Sequence, residues 1–168
     1  LNRDVKWINN FNEIKRGPVI FFGNEFFDAI PIKQFKKINN TLFERNFFLD
    51  KNYKVNEIFK KASPQNFKII KSYKTLKKLR FIEFPKQGFK ELKKISKKIT
   101  ELQGCILMID YGYLKPNNQS TLQSIMKHKK NNLLNNLGKA DITAHVNFSL
   151  LNEFFLKNGL NVKNVISQ

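Results

Sequence analysis

Little in this 168-residue sequence could staple a fold together. It holds one cysteine, Cys105, which excludes an internal disulfide framework and any multi-cysteine zinc site and points to a reducing compartment. Its two histidines, His128 and His145, have no partner at metal-ligand spacing. The seven glycines stand at 17, 23, 88, 104, 112, 138 and 159. No two form a G-x-G pair, so the chain has no dinucleotide-binding or phosphate-cradling loop. Long apolar runs are absent too: Val19 to Phe22, Phe47 to Leu49, Cys105 to Ile109 and Phe154 to Leu156 all fall far below the roughly eighteen residues of a membrane span. No charged-then-apolar signal segment opens the chain. No Ser-His-Asp order or Cys–His pair suggests acyl transfer. Arginine is scarce: Arg3, Arg16, Arg45 and Arg80 are the only ones among 31 basic residues.

What is plentiful is lysine. The formal charge is +18, from 31 Lys+Arg against 13 Asp+Glu, a field that attracts nucleic acid, anionic lipid or an acidic protein surface. Lysine is a solvated point charge, whereas arginine's fork suits bidentate phosphate and base recognition. Abundant Lys, Asn, Ile and Phe would also follow from compositional drift, so a solvated lysine-rich surface accounts for much of the excess. Residues 51–100 carry 16 Lys/Arg against 3 Asp/Glu, so the charge is concentrated mid-chain. Apolar residues make up 41%, enough for one domain with a core. The first residue is Leu, and the terminal Asn-Val-Ile-Ser-Gln reads as an unfinished strand. The chain is therefore expected to be an internal piece of a longer protein.

Trp7, Ile8, Phe11 and Ile14 are spaced as a short helix or turn, ended by Gly17-Pro18. Val19 to Phe22, closing at Gly23, and Cys105 to Ile109 have the unbroken apolar character of central strands buried on both faces. Phe26 to Ile30 predicts a short helical turn stopped by Pro31. Ile32 to Phe35, the Asn39-Asn40 turn and Thr41 to Leu49 predict an antiparallel hairpin, and Ile82 to Pro85 a short edge strand. Phe89, Leu92, Ile95, Ile99 and Leu102 place one apolar stripe on a helix ended by Gly104. Ser120 is expected to cap a helix bearing Leu122, Ile125 and Met126, and Ser149 one bearing Leu150, Leu151, Phe154 and Phe155. Leu160 to Ile166 predicts a third strand. Alternating helices and apolar strands give an α/β, doubly wound pattern, in which ligands bind beyond the carboxyl ends of the strands.

Two constellations fall on that edge. Asn24, Glu25 and Asp28 could grip a cationic group such as a guanidinium, or could simply cap the following turn. Asp110-Tyr111-Gly112-Tyr113 could orient a ligand amine or hydroxyl against a tyrosine ring, or form an ordinary strand exit. The segment Gly138 to His145 would face the same edge. On spacing alone each pair of readings stays open.

Gly23 to Phe35, reading GNEFFDAIPIKQF, resembles the N-E-F-F-D-A-L-P-x-x-Q-F segment of the MidA-type class I S-adenosylmethionine-dependent methyltransferases. Ile109-Asp110-Tyr111-Gly112-Tyr113 is similar to the family's I-D-Y-G-H/Y. Thr121-Leu122 with His128-Lys129, and Gly138 to Phe148, resemble further family motifs in the same order. The departures are Ile30 and Ile142 for leucine and Asn147 for aspartate.

This resemblance implies a partial Rossmann-like sheet with helices on both faces and a basic β-hairpin insertion, roughly residues 32–87, between two central strands. The whole of 1–168 becomes the C-terminal portion of one catalytic domain, without the cofactor-loop half. It implies S-adenosyl-L-methionine as cofactor, with Asn24 and Phe26 beside it. Glu25, Asp28 and Asn24 become catalytic, and Asp110, Tyr111, His128, Asp141, Thr143 and His145 substrate-binding, with no metal. The family includes a mitochondrial arginine methyltransferase needed for respiratory complex I assembly. A protein acceptor, possible only in the intact enzyme, is therefore implied, with no specific nucleic acid partner. The compartment would be cytoplasm in a bacterium, which is favoured, or mitochondrial matrix in a eukaryote. Two rival readings stand beside it: a lysine-rich nucleic-acid-binding module, and an inactive structural remnant.

Overall fold

The computed structural model describes residues 5–115 and 117–167; Arg3 and Gln168, named above, lie outside them. The N-terminal segment forms one tight turn, Phe11–Glu13, in which Asn10 and Glu13 build a reciprocal capping box. In chain order there follow β1 (Ile20–Asn24), β2 (Lys33–Ile38), β3 (Thr41–Leu49), β4 (Val55–Lys61), α1 (Pro64–Ser72), β5 (Phe81–Phe84), α2 (Lys86–Glu101) and β6 (Cys105–Ile109). The chain continues as β7 (Gly112–Tyr113), β8 (Gln123–Met126), β9 (Lys129–Asn131), β10 (Asp141–Thr143), β11 (Val146–Asn147) and α3 (Phe148–Lys157).

β1 and β6 pair in parallel, Ile20 to Cys105 through Asn24 to Ile109, across eighty intervening residues. The insertion is the expected hairpin enlarged into a four-stranded antiparallel sheet, ordered β4-β3-β2-β5. Asn39 and Asn40 both take positive φ, 45° and 62°. A two-residue turn of that hand matches the right-handed twist of the flanking strands. β5 is the edge strand expected at Ile82 to Pro85, shifted by one residue to Phe81–Phe84.

The core forms where this sheet meets α1, α2 and α3. Phe35, Leu42, Ile82 and Phe84 from the sheet pack with Ile70, Leu92, Ile95, Ile99, Leu150 and Phe154 from the helices. The α2 stripe points inward as its three-and-four spacing requires. The residue that turns the chain left-handed after α2 is Gln103, φ 52°, rather than Gly104. Gly104 is needed for a different reason: a Cβ there would lie 2.2 Å from the Val19 carbonyl, blocking the Cys105 N–H to Val19 O bond that starts the parallel pair at 2.9 Å.

Several expectations are corrected. The two apolar strands are not buried on both faces within these residues. Phe21, Ile106 and Met108 pack on the core, while Ile20, Phe22 and Leu107 are 72%, 58% and 51% exposed. Ser120 caps no helix. Residues 123–126 are the middle strand of a three-stranded antiparallel sheet, β10-β8-β9, because pairing on both edges overrides an apolar spacing that also fits a helix. Phe26 to Ile30 makes a single turn closed by the Ile30 N–H to Phe27 O bond. α3 is capped by Asn147, whose side chain accepts from the Leu150 N–H, and the Ser149 hydroxyl instead donates to the Leu114 carbonyl. Leu160 to Ile166 forms no strand. Leu160 and Val162 lean on the core, but no neighbouring strand among the described residues offers that segment a ladder.

Candidate functional site

The site grows from the place where β1 and β6 end together. Beyond the last ladder pair, the Glu25 N–H donates to the Ile109 carbonyl at 2.9 Å, which carries the register one residue into the loop. Glu25 itself takes φ 46°, a left-handed conformation uncommon outside glycine. The chain turns sharply there, and Asp110 on the neighbouring strand holds the turn. Its Oδ2 accepts from the Phe27 N–H at 2.7 Å and from the Phe26 N–H at 3.2 Å, while Oδ1 accepts from the Tyr111 N–H at 2.9 Å. Bonds from backbone N–H groups to a carboxylate are among the stronger kinds, so Asp110 fixes the 25–28 turn across a sequence gap of more than eighty residues.

Asp28 closes the group. Its carboxyl is raised from its ordinary value, chiefly by burial, then by the negative charges of Asp110 and Glu25; the Ala29 N–H partly offsets this. Its main-chain carbonyl accepts from the Ala144 N–H at 2.8 Å, which ties the 143–146 segment to the rim. The Val146 N–H in turn donates to the Tyr111 carbonyl, and β11 pairs in parallel with β7. Asn24, Glu25, Asp28, Asp110, Tyr111 and the His145 segment are thus brought together.

None of the six ion pairs among the described residues uses Glu25, Asp28 or Asp110. In a chain with 31 basic residues, three neighbouring acids are left without a cation of their own among the described residues.

A second layer lies behind the rim. Glu83, only 9% exposed, accepts from the Thr121 N–H at 3.0 Å and from its hydroxyl at 2.5 Å. It also accepts from the Gln34 amide at 2.7 Å. The Gln34 carbonyl oxygen accepts from Arg45 at 2.9 Å, and Arg45 pairs with Glu57. The Thr121 hydroxyl oxygen accepts from the His145 N–H at 3.0 Å. This chain of bonds runs from the inserted sheet to the His145 segment. A small cavity of about 40 Å³ lies between Phe27, Glu83, Tyr113 and His145. Burial and the nearby Glu83 charge push the Tyr113 phenol up to about 12, so it stays a neutral hydrogen-bonding group.

The remaining candidates sit further out. Thr143 accepts from the Gln123 amide through its hydroxyl at 3.1 Å. Asp141, exposed, stands opposite Ile125 at the other end of β10. His128, exposed, occupies the two-residue turn between β8 and β9, at φ 61°. From Gln123 to that turn is about 15 Å of strand, so the structure does not bring His128 to the acidic rim.

Gln34, Glu83 and Thr121 are the supporting residues to which sequence reasoning gave no role. Glu83 carried a usable signal: a carboxylate between Ile82 and Phe84 in a four-residue strand that is otherwise wholly apolar must find buried partners.

At the strand exit the side-chain chemistry suits S-adenosylmethionine on one side. The exposed amide of Asn24, the Glu25 carboxylate and the half-exposed Phe26 ring stand at the strand exit, and they offer hydrogen-bonding groups beside an apolar surface.

A curated relative from Caenorhabditis elegans, named protein arginine methyltransferase NDUFAF7 homolog, mitochondrial, is 30% identical over 152 residues, covering 88% of this chain and 35% of its own length. The Danio rerio protein arginine methyltransferase NDUFAF7 is 27% identical over 157 residues with the same coverage. The chain therefore spans about a third of the length of the curated relatives it matches. A Burkholderia thailandensis crystal structure with S-adenosyl-homocysteine bound superposes with a TM-score of 0.70 at 20% identity, covering 92% of this chain and 41% of that one. The S-adenosyl-L-methionine-dependent methyltransferase family matches residues 1–166, and this chain belongs to it.

Proposed function

We propose that these residues form the acceptor side of a protein arginine methyltransferase, with a respiratory complex I subunit or its bacterial counterpart as the methylated protein. The observation that carries this reading is the acidic rim of Glu25, Asp28 and Asp110, which makes no ion pair among the described residues of a strongly basic chain. Such a rim suits a cation brought from outside, and the names of the curated relatives favour arginine. The cofactor-loop half is proposed to lie outside these 168 residues. The exposed apolar face of β1 and β6 supports that, since parallel strands of this composition are normally covered on both sides. The compartment follows the host: cytoplasm in a bacterium, our preferred reading, or mitochondrial matrix in a eukaryote.

S-adenosylmethionine, when bound, supplies a methyl group on a positively charged sulfur, an electrophile that needs alignment more than activation. The Glu25 carboxylate accepts N–H bonds from the guanidinium and draws its positive charge toward the bound nitrogens. One remaining nitrogen then keeps a usable lone pair. The new N–C bond would form as the donor's carbon–sulfur bond breaks to leave a neutral thioether, and the methylated nitrogen would shed one proton. Asp28 is the carboxyl suited to take it, because burial and its two acidic neighbours raise its proton affinity. Asp110 is a positioning residue: it holds the turn that presents both acids. Asn24 and Phe26 line the donor side, and Tyr111, Thr143 and the His145 segment shape the acceptor channel. Asp141 and His128 would contact the acceptor protein further out.

In the full-length protein, Glu25→Gln is expected to lower methylation turnover about 100-fold while leaving cofactor affinity within twofold, read by calorimetry. Unchanged turnover would remove Glu25 from this role. Asp28→Asn should alter the pH profile of turnover as well as its magnitude.

A further inference from the structure

At the end of the inserted sheet remote from the acidic rim lies a cleft of about 420 Å³, lined by the buried Leu79 and by Lys37, Asn39, Asn40, Lys77, Lys78 and Arg80. Its volume is within the range of roughly 300–1,000 Å³ typical of ligand sites. One wall is the Asn39-Asn40 turn between β2 and β3, and the other is the 77–80 loop leading into β5. The walls are built rather than incidental. The Lys37 N–H donates to the Arg80 carbonyl at 2.8 Å, and the Lys37 ammonium donates to the Lys77 carbonyl at 3.2 Å. The Arg80 N–H donates to the Asn118 side chain at 2.6 Å, which fixes the loop from behind. Lys77, Lys78 and Arg80 are exposed.

Four cations converge on this cleft, and no carboxylate is among its lining residues. Elsewhere the scarce acids neutralise lysines and arginines, as Glu44 does Lys33, Glu57 does Arg45 and Glu153 does Lys157. None of the four cleft cations has such a partner among the described residues. The rest of the lining is also telling. Two asparagine side chains offer amide donors suited to carboxylate oxygens. No aromatic ring is present on which a nucleic acid base could stack, and three of the four cations are lysines, which lack the bidentate fork favoured for phosphate.

We infer that this cleft is a docking site for an acidic polypeptide segment, remote from the acidic rim. Carboxylates of the bound segment would sit between the hairpin turn and the 77–80 loop. The Lys37, Lys77, Lys78 and Arg80 charges would both steer the encounter and hold the segment. This inference stands on the cleft's own geometry and does not depend on methyl transfer.

The test is fluorescence anisotropy of the 168-residue chain with a labelled hexaglutamate peptide and, in parallel, a labelled hexauridylate. The peptide is expected to bind more tightly than the oligonucleotide, with affinity falling as salt is raised. The double variant K77Q/K78Q should weaken peptide binding about tenfold, whereas K90Q/K93Q, which removes two exposed charges from α2, should change it less than twofold. Arg80→Gln, a single exposed side chain, gives an independent reading of the same wall, with several-fold weakening expected. Equal weakening by both double variants would show that the overall +18 field does the binding and would overturn the inference. Tighter binding of the oligonucleotide would overturn it in favour of a nucleic acid ligand.

Discussion

The inserted sheet and the parallel pair solve the burial problem to different degrees. Strands β2, β3 and β5 bury one face against α1, α2 and α3, where Phe35, Leu76, Ile82, Leu92 and Leu150 are at most 1% exposed. Strands β1 and β6 carry more continuous apolar sequence, yet only their inner side chains reach that core. Their outer side chains remain in water. Full burial of a residue such as Phe22 or Leu107 stabilises a fold by about 1.5–3 kcal/mol, and that gain is not realised within this chain. The inserted sheet therefore finds its cover in the helices of this chain, whereas the pair that carries the acidic rim has a face still wanting cover. A contiguous exposed apolar patch of this kind marks an interaction surface.

The sharpest way to break this contrast is to mutate one residue on each side of it and follow denaturant unfolding. Leu92→Ala, in the shared core, should destabilise by about 2–5 kcal/mol. Next in size is Asp110→Ala, expected to cost about 1–3 kcal/mol because the Phe26 and Phe27 N–H groups lose their acceptor. It tests whether the rim is held by that one side chain.

A pH-dependent effect should follow from Glu153 on α3. Burial alone would raise its carboxyl, but the N–H groups of Thr75 and Lys74, the Thr75 hydroxyl and Lys157 together lower it to about 2. A carboxyl depressed in the folded state contributes stability that is present above its ordinary value of 4.5 and is lost as pH falls toward 2. Glu153→Gln should cost about 1 kcal/mol near neutrality and should remove this portion of the acid-induced loss. An unchanged acid transition would contradict the assignment. The smallest effect belongs to the bare face. Phe22→Ser should shift the stability of the 168-residue chain by less than about 0.5 kcal/mol, as for other exposed positions. A loss as large as that of Leu92→Ala would mean the outer face is already covered.

Where local chemistry dominates, the sequence reads well. The α2 stripe, the Asn39-Asn40 hairpin and the two apolar strands all occur where spacing and turn residues put them. Readings that depended on a neighbour did worse. Leu122, Ile125 and Met126 fit a helical period, yet Gln123–Met126 is pinned as a strand by β9 on one edge and β10 on the other. Leu160 to Ile166 looks like a strand and lacks a partner. The rim was legible in outline because Glu25 and Asp110 both follow apolar strands. Its supporting layer was not, since Gln34, Glu83 and Thr121 are far apart in sequence and meet only through folding.

The order of residues alone determined that two apolar strands would end in acids, that α2 would bury one stripe, and that a lysine-rich surface would carry a large positive charge. Each is a matter of side-chain type repeated at a local period, which needs no distant contact to be expressed. Only the tertiary structure decided that Asp110 would clasp the turn after β1, that Glu83 would join the insertion to the His145 segment, and that Lys37 would meet Lys77 and Arg80 around one cleft. Those outcomes depend on which strands pair and in what register, and pairing is settled by long-range packing that no local period encodes.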